Sequence, residues 1–117
     1  MENKVLCGAN SYEEKYYFNE EFSILPEEVK KELNIMCVLF TEDVGGIITV
    51  EFRPDGDAIV NVTSDERDYL YDEIDSELKV RTLLKEKEEL FKQLETFYKV
   101  MILKQDPATA LEDEDER

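Results

Sequence analysis

No histidine occurs among the 117 residues. The commonest general base and the commonest transition-metal ligand are therefore missing, and nothing can complete a zinc site around the chain's two cysteines. Cys7 and Cys37 lie far apart in sequence and form no C-x-x-C pair. Cys37 falls on an apolar helical stripe, and Cys7 sits in an apolar patch beside Gly8 with no basic neighbour to stabilise a thiolate. Both read as small buried hydrophobes. Only four glycines are present, and they make no phosphate-cradling loop; the G-x-S-x-G and metalloprotease motifs are absent as well. No apolar run approaches the roughly 20 residues of a membrane span. Met1 to Leu6, with Glu2 and Lys4, lacks the apolar segment of a signal peptide. The expectation is a cytoplasmic protein with no membrane contact. Basic residues are scarce too, 14 against 30 acidic ones, for a formal charge of −16. Such a field repels phosphate backbones and anionic membranes, so nucleic acid is disfavoured; a basic protein surface, a cation or plain solubility remains.

What is present is enough to fold. Hydrophobic residues make up 42% of the chain, with six Tyr and six Phe, and the length suits one core. The organising stretch runs from Leu25 to Val62. Leu25, Val29, Leu33, Met36, Cys37, Phe40 and Val44 recur at helical spacing and must share a buried face. Pro26 suits a first helical turn, Glu27 and Glu28 suit the dipole there, and Gly45 and Gly46 suit the stop. Ile35, Val38 and Leu39 lie off this stripe and suggest protein contact on a second side. The period then becomes two, with Ile48, Val50 and Phe52 on one face of a strand. Pro54, Asp55, Gly56 and Asp57 supply hairpin turn chemistry, and Ala58, Val60 and Val62 alternate on the return strand.

Before this unit, Lys4–Ala9 and the aromatic Lys15–Asn19 read as two further strands, with one helical turn at Ser11–Glu14 as the alternative. After it, Thr63 or Ser64 suits a helix cap, and no Gly or Pro intervenes before Pro107. This helical region has two stripes. Leu70, Tyr71, Ile74 and Leu78 form one. Val80, Leu83, Leu84, Leu90, Phe91, Leu94, Phe97, Tyr98 and Met101 form another, nearly opposite on a continuous helix at about 100° per residue. A break between Leu78 and Thr82 is expected. The expected architecture is α+β, in the order ββαββα: an antiparallel sheet of about four strands packed against a core helix and a long C-terminal helical region. Residues 1–105 form the domain, and 106–117 read as an acidic, disordered tail.

Carboxylates are the remaining candidates for chemistry. Asp68, Asp72 and Asp75 have the spacing to line one helical face and hold a hard cation, but a solvated face explains them more simply. Asp55 and Asp57 read as turn residues. No catalytic, metal-binding or cofactor-binding residue is assigned, and no cofactor is implied. Leu90, Leu94, Phe97 and Met101 approach a coiled-coil seam. They would form a homodimer contact if one unbroken helix carried both stripes; with a break, they belong to the core of a monomer.

The run LPEEVKKELNIMCVLFTEDVGGIITVEF, with the opening NKVLCGANSYEEKYYFN and the later DYLYDEI, resembles a family of small uncharacterised proteins of anaerobic Gram-positive bacteria, of the domain-of-unknown-function kind. The resemblance spans Asn3 to about Tyr98 and implies a bacterial cytoplasmic protein, with no activity or functional residue to carry over. The function expected is a non-enzymatic, acidic binding or regulatory module for a basic protein partner. The alternative is a carboxylate-based, divalent-metal-dependent enzyme built on the Asp68 face.

Overall fold

The computed structural model describes residues 2–104, so the expected acidic tail lies outside the described residues. The organising helix, α1 (Glu27–Val44), buries Leu33, Met36, Cys37 and Phe40 along the stripe that the spacing predicts. Pro26 stands just before its first turn, its carbonyl accepting from the Lys30 N–H, and Gly45, at φ +83°, ends it with its N–H donating to the Thr41 carbonyl. The strands β1 (Lys4–Asn10), β2 (Lys15–Phe18), β3 (Ile47–Phe52) and β4 (Ala58–Thr63) form one antiparallel sheet in the order β2-β1-β3-β4. Two hairpins thus meet along a central β1–β3 seam. On β3 the alternation is clean, with Ile48, Val50 and Phe52 fully buried. The opposite face is polar there: Thr49 and Asn61 both donate to the Glu51 carboxylate, at 2.7 and 2.8 Å.

β1 breaks that alternation. Leu6 and Cys7 are both fully buried although they are neighbours, because the β1–β3 register slips between Val5 and Cys7. A bulge of this kind lets consecutive side chains point to the same face. Ser11–Glu14 forms the β1–β2 turn rather than a helix: the Asn10 side chain accepts from the N–H groups of Tyr12 and Glu13. Asn19 then anchors the exit, its side-chain amide donating to the Val5 carbonyl at 2.8 Å.

Gly46 is the one position between α1 and β3 where no side chain fits. Its φ is +73°, and a Cβ would fall 2.6 Å from the Thr63 carbonyl oxygen and 2.8 Å from the Tyr71 ring.

The C-terminal half corrects two expectations. Helix does not begin at Thr63 or Ser64. β4 runs through Thr63, and α2 (Glu73–Glu86) starts ten residues later, capped by the Asp72 side chain, which accepts from the Asp75 N–H. In between, Asp65 and Asp68 accept from the N–H groups of Arg67 and Leu70. These local bonds compete with helical ones and hold the segment as turns. The helical region does break, but at Lys87 rather than between Leu78 and Thr82, and α3 (Glu88–Phe97) follows. Lys87 sits at φ −105°, ψ 23°, and its ammonium meets Glu32 of α1 at 3.3 Å.

After the break, Leu90, Phe91, Leu94 and Tyr98 join the core beside Phe22 and Phe52. Tyr98 stacks on Phe52 at 4.5 Å between ring centroids. α1 packs on β1, β2 and β3, and α3 reaches β4, so helices cover one side of the sheet. The buried Glu95 carboxylate ties α3 to the second hairpin by accepting from the Ala58 N–H at 2.8 Å. Among the described residues, no helix is long and apolar enough to cross a membrane.

Candidate functional site

Two helices of one domain normally share an apolar seam. α1 and α2 instead stand apart, and between them lies a groove of about 730 Å³. Its floor is made by Met36, Phe40 and Leu83, which also touch the core. Its α1 wall is Ile35 and Leu39, which are 58% and 57% exposed. These are two of the three off-stripe apolar residues expected to meet protein on a second side; among the described residues they meet solvent, while the third, Val38, is half-buried. Ion pairs bridge the helices at both ends: Lys79 of α2 to Asp43 at 2.6 Å, and Lys87 to Glu32 at 3.3 Å. The hydrogen bond from Lys79 to Asp43, reinforced by the carboxylate's charge, holds the ammonium above its usual range. The rim also carries Glu28, Lys31 and Glu86. Nothing in the sequence marks the two bridges, because they join positions 36 and 55 residues apart.

A second apolar feature lies outside the groove. Leu70, Ile74 and Leu78, expected to be a buried stripe, are 97%, 75% and 55% exposed. The core-facing side of α2 is Ser76, Val80 and Leu83, with the Tyr71 and Ser76 hydroxyls bonded to each other. The tip before α2, with Tyr69 also exposed, is pinned from behind by Tyr12. Its hydroxyl donates to Asp68 at 2.6 Å and accepts from the Asp65 N–H.

The candidate partner residues divide. Leu90 and Leu94 are core residues, 3% and 0% exposed, and Phe97 is partly buried against the same cluster. Met101 alone among them is exposed. The break at Lys87 turns this stripe inward, so Leu90 and Leu94 have no surface to offer another chain. The carboxylates do not converge either. Asp68 lies in the turn segment and Asp72 caps α2, so the helical face that was to join them to Asp75 does not exist. Among the described residues, no three His, Cys, Asp or Glu side chains group as metal ligands. Asp55 and Gly56 are in the β3–β4 turn, where Asp55 accepts from the Asp57 N–H.

Cys7 and Cys37, unrelated in sequence, face each other across the sheet–helix interface with sulfurs 4.0 Å apart. Hydrogen bonding to Cys7, then burial, raises the Cys37 thiol well above its ordinary range, and burial does the same to the Tyr16 phenol beside them. The hydrogen bond with Cys37 lowers the Cys7 thiol, against burial, which raises it; both sulfurs are buried, which suits packing rather than attack on a substrate from solvent.

The matching family model is described as a family of unknown function (DUF6145), and it covers residues 3–106. The chain belongs to this family. The match takes in every element of the fold, including both walls of the groove. No curated protein and no solved structure matches the chain.

Proposed function

We propose that this DUF6145 protein is a bacterial, cytoplasmic, non-enzymatic module that binds a basic protein partner. The groove between α1 and α2 carries the proposal. It exposes Ile35 and Leu39 on a rigid helix beside a floor continuous with the core. Exposed apolar surface with a polar rim is characteristic of a protein-binding site. The sign of the partner follows from the charge of −16, which speeds encounter with a basic surface and repels another acidic one. The same repulsion supports a monomer over a homodimer. Buried cysteines that face each other without a disulfide suit a reducing compartment.

The test is affinity capture from an extract of a bacterium encoding the protein, run in parallel with wild type and the Ile35→Ser/Leu39→Ser double variant. Expected is a basic protein retained by the wild type, weakened by salt and lost with the variant. Retention of acidic proteins, or equal retention by both baits, would overturn the proposal.

A further inference from the structure

We infer that the groove accepts an amphipathic α-helix of about three turns, with apolar residues along one side and Lys or Arg along the other. This rests on the binding function proposed above and specifies the form of the bound segment. Both walls are helices, whose backbone N–H and C=O groups are already bonded within each helix. The walls therefore offer side chains and no free backbone edge. A segment entering an apolar groove must satisfy its own backbone, and a helix is the form that does so.

The two ion pairs set the dimensions. On α1 they lie at Glu32 and Asp43, a span of about 16 Å along a helix axis. Each is made by a long lysine side chain reaching across from the α2 side, and together they tie the walls to each other at two points. Ile35, Met36, Leu39 and Phe40 fall between those points and present successive apolar contacts at the i, i+4 spacing that a third helix would meet.

Charge selects among helices. Around the groove stand four carboxylates, Glu28, Glu32, Asp43 and Glu86, and three ammonium groups, Lys31, Lys79 and Lys87. Lys79 and Lys87 are neutralised by Asp43 and Glu32, which leaves Glu28, Glu86 and Lys31 at the rim. The local excess is a single negative charge, and the field of the whole chain at −16 has the same sign. A second copy of this chain would bring −16 against −16, so a basic helix is the favoured occupant.

The experiment uses synthetic peptides and fluorescence anisotropy with the full chain. One peptide is a model helix with Leu on one side and Lys on the other. The second replaces every Lys with Glu. The third keeps the first one's composition but places Pro at its centre, which breaks the helix. Expected is saturable binding of the first alone, weakening as salt rises, with at least a tenfold loss for Ile35→Ser/Leu39→Ser. Those positions are more than half exposed, so the variant keeps its fold, and an unchanged melting midpoint checks this. Equal binding of the straight and Pro-broken peptides would overturn the helical form. Equal binding by wild type and variant would take the groove out of the interaction and overturn this inference together with the function it rests on. If the Leu/Lys helix fails to bind but a basic protein is captured through the groove, the form inferred here is wrong and the function stands. Preference for the Glu peptide would overturn both.

Discussion

Leu94→Ala measures directly whether the last stripe belongs to this chain's core. The side chain is fully buried on α3, within the cluster that contains Phe22, Phe52 and Tyr98. Losing that burial costs about 2 kcal/mol, and the void left by a site that collapses only partly adds about 1–2 kcal/mol. A total of about 3–4 kcal/mol corresponds to a fall of about 12–16 °C in Tm for a domain of this size. Met101→Ala, at a side chain 42% exposed, should cost less than about 1 kcal/mol. Thermal unfolding followed by circular dichroism gives both numbers, with light scattering reporting mass. Leu94→Glu should not fold, since an unpaired carboxylate in that position adds several kcal/mol to the lost burial, against a total stability of about 5–15 kcal/mol. A Leu94→Glu protein that stays folded while its mass falls from dimer to monomer would refute the placement of this stripe.

Gly46→Ala should lower stability by at least about 1–2 kcal/mol, from the left-handed backbone alone, with more from the approach to Thr63 and Tyr71; urea unfolding checks it, and a neutral result would mean that this junction is wrongly drawn. Asn61→Ala should matter more at neutral pH than in acid. Hydrogen bonds from Asn61 and Thr49 hold the Glu51 carboxyl below its usual pKa, so this stability is present above the unfolded value and lost as pH falls through the folded one. The gap between wild-type and variant urea midpoints should accordingly be wide at pH 7 and nearly closed well below the Glu51 pKa; a gap that widens in acid would reverse the sign. The Cys7 and Cys37 thiols should react with a disulfide reagent only as fast as the protein opens, and within seconds in denaturant; fast native labelling would place them at the surface.

Local order was easy to read in the sequence and longer-range order was not. The α1 stripe and the β3–β4 hairpin emerge from spacing and turn residues because each is fixed by neighbours within a few positions. The helix start near Thr63 misleads, since Asp65, Asp68 and Asp72 are equally good at capping and at holding turns, and only the sheet decides which of them starts the helix. Leu70, Ile74 and Leu78 have the periodicity of a buried stripe, yet periodicity records amphipathicity and not whether the partner surface lies in the same chain. The bulge at Leu6–Cys7 leaves no mark beyond a run of apolar residues. The groove was half visible: Ile35 and Leu39 announced a second apolar side of α1, while its ends depend on lysines whose partners lie on another helix.

The seam between β1 and β3 has a kinetic consequence. Each hairpin closes through a short turn, so its pairing is local and fast. The seam joins residues such as Ala9 and Ile48, and it cannot form until the chain carrying β2 and α1 has folded back between them. Loop closure of that length has to precede the contacts that reward it. The barrier to folding therefore lies at the seam and at the face of α1 docking over it, not at either hairpin. Substitutions at Ala9, Ile48 or Cys37 should slow refolding, and so should changes in the turn at Gly56, which is closed before the barrier is reached.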